Sequence, residues 1–320
     1  MDAIVYEELG GPEVLRHVTE AELPEPGPGQ VRVRVAAAGV NPVDWKRRYG
    51  WLEDFYPTTF PAVPGLEFAG TVDAVGPAGE SQDGGPGADT AAELAVGDEV
   101  FGWVTSGAYA EYALADAAYL VPKPAGLSWE AAAGLAVAGE TARRVLDLLA
   151  TRSGETLLLH GAAGAVGALA AQLAVADGLT VIGTASERNH AFLRELGVHP
   201  VTYGDGLADR VRAAAPQGVD AVFDAAGRGA LQVSLELTGG ERSRVVSIAD
   251  APEAAELGVT FTGVTVEPEL ARRWLAEQAR MVVEGRLRLD IAEVLPLKEA
   301  ARAQELSEAG HVRGKLVLVP

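Results

Sequence analysis

Residues 156–178, TLLLHGAAGAVGALAAQLAVADG, restrict the fold of this chain more than any other stretch. They begin with an apolar run, residues 157–159, which has no polar alternation and is typical of a parallel strand covered on both faces. A glycine-rich turn follows, and then an alanine- and leucine-rich segment that is long enough for a helix. This order predicts the first strand–turn–helix unit of a doubly wound α/β sheet.

The turn itself, residues 162–167, reads AAGAVG, a dinucleotide fingerprint with alanine at the first glycine position. Gly164 would allow the backbone to approach a pyrophosphate, and Gly167 would allow the helix to pack closely against the strand. The helix N-terminus then offers N–H groups and a positive dipole end to the phosphates. Glycines in an alanine-rich chain can also serve packing alone, but their place between strand and helix favours a cofactor site.

The middle of the chain continues this alternation of strands and helices. Residues 128–150 have a helical pattern with Ser128 as the N-cap, and Gly197 closes a later helix. Strands are predicted at residues 156–160, 180–184, 200–203, 220–223 and 244–248, with an edge strand at 259–264. The alternation predicts a doubly wound parallel sheet of the Rossmann type.

Both ends of the chain differ from this middle part. Residues 31–35, VRVRV, alternate strictly, as expected of an antiparallel strand with one face in water. Residues 1–122 are predicted to be β-rich, with further strands at 3–7, 67–75, 99–104 and 108–114. Residues 268–320 contain a helix, an amphipathic segment and a final strand, and we expect them to return to the first domain. The polar stretch 77–94 predicts a long mobile hairpin loop, or a functional lid.

Composition excludes several classes of protein. The chain has 320 residues, 48% of them hydrophobic, which is enough for the cores of two domains. The net charge of −19 argues against nucleic acid and anionic membranes as partners. No apolar run approaches the ~20 residues of a membrane span, and no signal-peptide pattern is seen, so we expect a cytoplasmic protein. The absence of cysteine excludes disulfides and cysteine-ligated metals.

The end of the second parallel strand bears on the choice of nicotinamide cofactor. An acid about 20 residues beyond the glycine turn favours NAD, whereas a basic residue accommodates a 2′-phosphate. Ala185 ends this strand, and the following Ser186 and Arg188 can both bond a phosphate. Glu187 could instead hold a ribose, or simply start the next helix. These residues favour NADP, and NAD stays open.

Zinc, which polarises the alcohol in many two-domain oxidoreductases, has no ordinary ligands in this sequence. The five histidines show no ligand spacing, and cysteine is absent. We therefore expect no metal site. His160, at the end of a buried strand, is predicted to be a hydrogen-bonded core histidine rather than a catalyst.

Residues 41–51, NPVDWKRRYGW, are unusually rich in aromatic and basic side chains for this chain. Trp45 and Trp51 could wall a planar substrate, and Lys46 or Tyr49 could donate a hydrogen bond to its carbonyl oxygen. The alternative is a buried tryptophan with solvated basic neighbours, and the sequence leaves the two interpretations open.

These residues together resemble the medium-chain dehydrogenase/reductase superfamily, in its zinc-independent quinone oxidoreductase branch. The matching segments are AAGVNPVDWK at 37–46, PGLEFAGTVDAVG at 64–76, GDEVFG at 97–102, GAYAEY at 107–112, HGAAGAVG at 160–167, FDAAG at 223–227 and GHVRGKLVL at 310–318. The zinc-dependent branch carries histidine where this chain has Leu66. One segment departs from the family: ETARR at 140–144 replaces the apolar and aromatic residues usual there.

The resemblance implies a GroES-like catalytic domain from residues 1–122 and 265–320, and a Rossmann NADP-binding domain from residues 123–264. It also implies which residues would bind the cofactor, NADPH. These are Asn41 and Thr141 near the nicotinamide; Gly164, Ala165 and Val166 at the pyrophosphate; Ser186, Arg188 and Tyr203 around the 2′-phosphate; and Ala225, Ser247, Ala249 and Lys315 near the ribose and nicotinamide.

The activity that the resemblance implies is an NADPH-dependent reduction of a quinone or an α,β-unsaturated carbonyl. Lys46 is the favoured donor to the carbonyl oxygen and Tyr49 the second choice, with solvent as a further proton source. The alternatives are a reductase of enoyl thioesters or polyketide intermediates and a non-catalytic NADPH-binding protein. The predicted edge strand and the resemblance together imply a homodimer joined through the Rossmann domains.

Overall fold

The computed structural model of the protein describes residues 1–77, 93–263 and 266–320. Residues 1–137 and 267–320 form one compact unit, called here the first unit, and residues 138–266 form the second unit. Most of the predicted loop at 77–94 lies outside the described residues. The domain limits drawn from the sequence, at residues 122 and 265, stay a prediction.

The described strands and helices follow one another along the chain. The strands are β1 (Ala3–Val5), β2 (Arg16–Val18), β3 (Gln30–Val40), β4 (Glu67–Val75), β5 (Glu99–Trp103), β6 (Tyr112–Asp116), β7 (Leu120–Pro122), β8 (Thr156–His160), β9 (Thr180–Thr184), β10 (His199–Val201), β11 (Ala221–Asp224), β12 (Val245–Ser247), β13 (Thr260–Phe261), β14 (Ile291–Pro296) and β15 (Lys315–Val319). The helices are α1 (Pro42–Arg48), α2 (Trp129–Leu148), α3 (Ala165–Ala176), α4 (His190–Glu195), α5 (Leu207–Ala214), α6 (Leu231–Leu237), α7 (Ala251–Leu257), α8 (Pro268–Val283) and α9 (Ala300–Ala309).

A mixed sheet in the order β14-β15-β3-β4-β5-β7, with β6 also paired to β3, forms the main sheet of the first unit. The alternation predicted for β3 is confirmed, because Val31, Val33 and Val35 are buried while Arg32 points to the outer face and bonds Asp73 at 2.7 Å. The C-terminal strand β15 pairs antiparallel with β3, so residues near the end of the chain belong to the main sheet of the first unit.

Several features of the first unit differ from the sequence prediction. The strand predicted at 108–114 lies at Tyr112–Asp116 instead. Residues 108–110 form no strand; they are joined to the neighbouring backbone by an isolated bridge between Ala3 and Ala110 and by hydrogen bonds to residues 64 and 65. Strand β14 pairs in parallel with β15, which requires the crossover helix α9 between them. Helix α1 was not predicted; its start is fixed by Asn41, whose N–H donates to the Asp44 carboxylate at 2.8 Å.

The second unit contains a fully parallel sheet in the order β10-β9-β8-β11-β12-β13, as the strand–helix alternation predicted. Every residue of β8 is buried, which confirms that its unbroken apolar run is covered on both faces. The edge strand predicted at 259–264 is shorter, since it pairs with β12 only over Thr260–Phe261, opposite Val246 and Ser247. Residues 264–265 lie outside the described part.

This strand order reverses between β8 and β11. Successive strands run outward from β8 to β10 on one side and from β11 to β13 on the other. Ligands of such sheets bind at the carboxyl ends of the strands, at the point where the order reverses. The glycine turn after β8 is therefore at the position where a ligand is expected. Among the helices of the described residues, none is both long and apolar enough to cross a membrane.

Candidate functional site

The glycine turn after β8 is built from close backbone contacts. A Cβ atom on Gly167 would lie 2.3 Å from the carbonyl oxygen of Gly161, so only glycine permits this packing of α3 against the turn. Gly161 itself has a left-handed φ of 73°. A Cβ on Gly164 would stay 3.4 Å from the same oxygen, an ordinary contact. The packing role predicted for Gly167 therefore agrees with the geometry.

The first turn of α3 supplies the donors that an anion needs. An α-helix leaves its first N–H groups without intrahelical acceptors, and here these include the amides of Ala165 and Val166. Both residues and the preceding Gly164 are partly exposed. Ala165 and Val166 begin a helix of twelve residues, whose peptide dipoles are aligned. The residues present therefore fit a pyrophosphate at this turn.

The three residues predicted around a 2′-phosphate follow neighbouring strand ends. The N–H of Ala185 donates to the carbonyl of Val201 at 3.1 Å, which joins the chain after β9 to the end of β10. Ser186 is partly exposed, Arg188 is exposed, and Tyr203 is 51% exposed. Glu187 is exposed too and begins a short 3-10 turn at Glu187–Asn189. A serine hydroxyl and a guanidinium at one edge of the sheet fit a phosphate group.

Asp224 shapes the loops that follow β11 and β12. Its Oδ1 accepts from the N–H groups of Ala226 and Gly227 at 3.0 and 2.9 Å, and its Oδ2 accepts from the Ser247 hydroxyl at 2.7 Å. The Ser247 oxygen in turn accepts from the amide of Ala249 at 3.1 Å. Ser247 is therefore fully engaged in holding the loop, while Ala225 and Ala249 are partly exposed beside it.

His160 is a hydrogen-bonded core histidine, as predicted. Its Nε2 lies 3.0 Å from the Ser234 hydroxyl, and that hydroxyl donates its proton to the carbonyl of Ala230 at 2.6 Å. His160 Nε2 must therefore carry a hydrogen, and Nδ1 accepts from Thr184 at 3.4 Å. Burial lowers the pKa of this histidine to about 4, and the nearby Asp224 only partly opposes that shift. The imidazole is neutral at physiological pH and acts as a structural link.

The segment that departs from the family forms a buried ion pair on α2. Arg144 Nε donates to the Glu140 carboxylate at 2.8 Å, one helical turn away, and the two residues are only 5% and 2% exposed. The other arms of the guanidinium donate to the hydroxyls of Thr262 and Thr141. Thr141, predicted to lie near the nicotinamide, therefore has its hydroxyl fixed by charged neighbours.

In the first unit, Lys315 and Glu67 form a second buried ion pair, which holds the side chain of Asn41. The Asn41 amide donates to Glu67 Oε1 at 2.8 Å, and its oxygen accepts from Lys315 Nζ at 2.8 Å. Lys315 also donates to Glu67 and, at 3.3 Å, to the carbonyl of Val40. Its three protons are thus all engaged inside the protein. Asn41 keeps one amide hydrogen that none of these bonds uses.

Gly39 makes this arrangement sterically feasible. A Cβ atom at this position would lie 2.2 Å from Glu67 Oε1, so any other residue would displace the carboxylate. The second carboxylate oxygen, Oε2, accepts from the N–H of Val137 at 2.7 Å. Glu67 is therefore saturated with donors although it is completely buried, which is the condition under which a buried charge is tolerated.

The aromatic residues after Asn41 pack against one another. Trp45 meets Tyr49 and Trp51 edge to face, with ring centroids 6.5 and 5.4 Å apart, and Tyr49 stacks on Trp51 at 5.5 Å. Lys46 Nζ lies 5.7 Å from the Trp45 ring centroid. Trp51 is 63% exposed, whereas Trp45 and Tyr49 are half-buried. The aromatic side chains of residues 41–51 therefore pack against one another, as a buried tryptophan would, and they still present an aromatic surface that a planar substrate could contact.

The predicted residues fall into two groups, one in each unit. The second unit carries Thr141, Gly164, Ala165, Val166, Ser186, Arg188, Tyr203, Ala225, Ser247 and Ala249. The first unit carries Asn41, Trp45, Lys46, Tyr49, Trp51 and Lys315. Sequence reasoning missed the residues that orient them, chiefly Glu67, Asp224 and Thr262. The first two had a signal, because each is an acid within a buried apolar strand.

Within residues 1–77, 93–263 and 266–320, no group of three or more histidine, cysteine, aspartate or glutamate side chains could hold a metal ion.

Two sequence models of protein families match the chain. The alcohol dehydrogenase GroES-like domain matches residues 27–125, and a family described as zinc-binding dehydrogenase matches residues 196–318. The first match lies in the part of the chain that supplies most of the mixed sheet, and the second covers β10 to β15.

Full-length proteins are similar as well. The quinone oxidoreductase of Lama guanicoe is 32% identical over 338 residues, covering 100% of this chain and 97% of that protein. The structure of the quinone oxidoreductase from Coxiella burnetii is 33% identical with a TM-score of 0.84, covering 100% of this chain and 99% of that chain. Escherichia coli quinone oxidoreductase complexed with NADPH is 26% identical with a TM-score of 0.85, and each chain is covered completely.

Proposed function

This chain belongs to the quinone oxidoreductase-like branch of the medium-chain dehydrogenase/reductase superfamily, and we propose that it reduces a quinone or an α,β-unsaturated carbonyl with NADPH. The observation that carries the proposal is the glycine turn at the switch point of the parallel sheet, with the free amides of α3 above it. A cytoplasmic location stays a prediction from the sequence.

We propose that the second unit binds the cofactor. The amides of Ala165 and Val166 would hold the pyrophosphate beside Gly164, and Ser186, Arg188 and Tyr203 would surround the 2′-phosphate. Ala225 and Ala249 would border the ribose, in loops that Asp224 and Ser247 keep in place. The support for NADPH is the hydroxyl and guanidinium after β9 together with the NADPH complex of the E. coli relative.

The bound nicotinamide would supply a hydride to an electron-poor carbon of the substrate, which leaves negative charge on the carbonyl oxygen. The protein must then provide hydrogen-bond donors for that oxygen. Lys46 is the donor predicted from the sequence. The geometry adds Asn41, whose amide is oriented by Glu67 and Lys315 and keeps one hydrogen to donate. Lys315 would act through Asn41, since its own protons are engaged.

The decisive experiment is a turnover assay with NADPH and a panel of simple quinones and conjugated ketones. We expect NADPH oxidation that depends on the acceptor, and a lower rate with NADH. Turnover restricted to enoyl thioesters would favour the alternative reductase. Tight NADPH binding without turnover of any acceptor would contradict the proposed reaction.

We further propose that the reaction needs no zinc. The sequence has no cysteine, and Leu66 stands where the zinc-dependent branch carries histidine. Elemental analysis of the purified protein should find no stoichiometric zinc, and dialysis against a chelator should leave the rate unchanged. A rate that is lost with the chelator and restored by zinc would refute this part of the proposal.

Lys46→Met tests the predicted donor. If Lys46 stabilises the developing charge, kcat should fall about tenfold or more while the NADPH dissociation constant stays the same, because one charged donor contributes about 1.5–3 kcal/mol. Tyr49→Phe should cost less, since the Tyr49 hydroxyl lies 3.5 Å from the Glu308 carboxylate. Lys123→Met, which removes a lysine outside both groups of residues, is the control. Unchanged kcat in Lys46→Met and in Tyr49→Phe would leave Asn41 or solvent as the source of the hydrogen bond.

A further inference from the structure

The ion pair between Glu140 and Arg144 is buried, yet it is poorly explained by stability. Desolvation of two charges offsets much of their attraction, so a buried pair is often no more stable than apolar residues of the same size. Both residues are at least nine-tenths buried, in a segment where the family usually has apolar and aromatic side chains. A role in orienting other groups is the better explanation, and the groups in contact with the pair are two threonine hydroxyls.

The hydrogens of these hydroxyls can be assigned from their partners. A hydroxyl has one proton to donate and two lone pairs to accept with. The Thr141 hydroxyl accepts from Arg144 Nη2 at 3.4 Å and donates to Glu140 Oε2 at 3.4 Å. Toward any further group, Thr141 can therefore only accept. The Thr262 hydroxyl accepts from Arg144 Nη1, and no bond in the described residues uses its proton. Thr262 is thus able to donate.

One acceptor and one donor, both bound to the same guanidinium, match a primary carboxamide. The amide oxygen needs a donor and the NH₂ group needs an acceptor. The two hydroxyls sit on the two terminal nitrogens of one planar guanidinium, and those nitrogens are spaced like the oxygen and nitrogen of an amide, since both pairs share one planar carbon. The charges of the ion pair strengthen both interactions. The Arg144 cation makes the Thr262 proton a better donor, and the Glu140 carboxylate makes the Thr141 oxygen a better acceptor.

We propose that Thr141 and Thr262 form a two-point site for the carboxamide of the nicotinamide ring, with Glu140 and Arg144 as the positioning pair that sets the polarity of the two hydroxyls. The inference rests on the proposed use of NADPH. It assigns a role to residues 140–144, the segment in which this chain departs from its family. It also assigns a binding role to Thr262, for which no sequence motif had indicated one. All four residues belong to the second unit.

The test compares NADPH with the reduced 3-acetylpyridine analogue, in which a methyl group replaces the NH₂ and the carbonyl oxygen stays. Dissociation constants are measured by fluorescence titration for the wild type and each variant. The wild type should bind NADPH about tenfold more tightly than the analogue, the effect of one neutral hydrogen bond. Thr141→Val should weaken NADPH about tenfold and leave the analogue unchanged. Thr262→Val should weaken both about equally, because both keep the oxygen.

Thr141→Ser retains the hydroxyl and is the matched control, in which the preference for NADPH should persist. Arg144→Met should reduce the preference, and Arg144→Lys should restore part of it. Melting temperatures identify variants that fail to fold, in which case the serine and lysine variants still decide. Equal weakening of both cofactors by Thr141→Val, or no weakening, would overturn the carboxamide site while NADPH binding stands. A wild type that binds neither cofactor would overturn the proposed function itself.

Discussion

Two buried acids of the first unit, Asp44 and Glu67, have very different partners. Both oxygens of Glu67 accept hydrogen bonds, and a lysine neutralises its charge. Asp44 Oδ2 accepts from the backbone N–H of Asn41 and from the Tyr109 hydroxyl, but Oδ1 has no partner among the described residues. Burial raises the pKa of Asp44 to about 6, and the two hydrogen bonds only partly oppose it. At neutral pH this ionised carboxylate therefore destabilises the folded protein.

Asp44→Asn should make the stability of the protein less dependent on pH. A pKa raised above its ordinary value of 3.8 contributes stability that is fully present below pH 3.8 and is lost as the pH rises through about 6. Asparagine keeps an oxygen for the two donors and does not ionise. Relative to the wild type, the variant should gain about 1–3 kcal/mol between pH 4 and pH 7. Urea unfolding at both pH values measures this difference.

Comparing Asp44→Asn with the wild type also removes the contribution of His160 to the pH dependence of stability. The pKa of that histidine is lowered from 6.5 to about 4, so its contribution is present above pH 6.5 and is lost as the pH falls toward 4, opposite in sign to that of Asp44. Because His160 is the same in both proteins, its effect cancels. Parallel stability curves for the two proteins would show that Asp44 does not titrate in this range.

Arg188→Ala tests the choice of cofactor by a single side chain. If Arg188 pairs with a 2′-phosphate, the variant should bind NADPH more weakly by about 1.5–3 kcal/mol and bind NADH almost unchanged. Arg194→Ala, which removes an exposed arginine from the adjacent helix α4, controls for net charge. Titration of the wild type and both variants with NADPH and with NADH gives six dissociation constants. Equal weakening of NADPH and NADH, or a wild-type preference for NADH, would contradict this role.

At the scale of elements, the packing of β8 against α3 depends on the glycine turn between them. Gly167→Ala places a methyl group 2.3 Å from the carbonyl of Gly161, and the backbone must shift to admit it. We expect a loss of about 1–3 kcal/mol of stability, as for other overpacked sites, and weaker NADPH binding because the amides of the first turn move.

Gly164→Ala is the matched control for this element. Its new Cβ would meet the same oxygen at 3.4 Å, so the fold should keep its melting temperature. If Gly164 faces a pyrophosphate, this variant should still lose NADPH affinity. Calorimetry and cofactor titration of both variants separate packing from binding. Equal melting temperatures for Gly167→Ala and the wild type would show that the turn relaxes easily.

At the scale of the whole molecule, the exposed edge of the parallel sheet is the expected surface for self-association. Strand β13 ends the sheet, both of its residues are exposed, and Phe261 is 41% exposed. Edge strands offer unpaired backbone groups, and a two-fold axis can pair two copies of one edge. We expect a homodimer at micromolar concentration, and Phe261→Lys should shift it toward monomer. Phe55→Lys, which changes a 74% exposed aromatic in the first unit, should leave the dimer intact.

Sedimentation velocity over a range of concentrations distinguishes these outcomes. A wild type that sediments as a monomer at micromolar concentration would argue against the assembly. A dimer that Phe261→Lys leaves intact would place the interface on another surface.

Local sequence determined the parts of this protein that depend on a few neighbouring residues. The apolar run of β8, the alternation of β3 and the glycines of the turn fixed a parallel sheet, an antiparallel strand and a strand–turn–helix unit, because burial and backbone conformation at these places depend on short-range pattern. The same patterns could not show that β14 pairs in parallel with β15, nor that β13 pairs with β12 over only two residues.

Only the tertiary structure decided which polar groups are paired. Lys315 and Asn41 are 274 residues apart in sequence, and Arg144 and Thr262 are 118 apart, yet each pair shares a buried hydrogen bond. The sequence named Lys315 and Thr141 as candidates, but it could not show that the protons of Lys315 are engaged or that the hydroxyl of Thr141 is fixed. The physical reason is that a buried polar group is defined by partners brought together by the whole fold, and no local period encodes them.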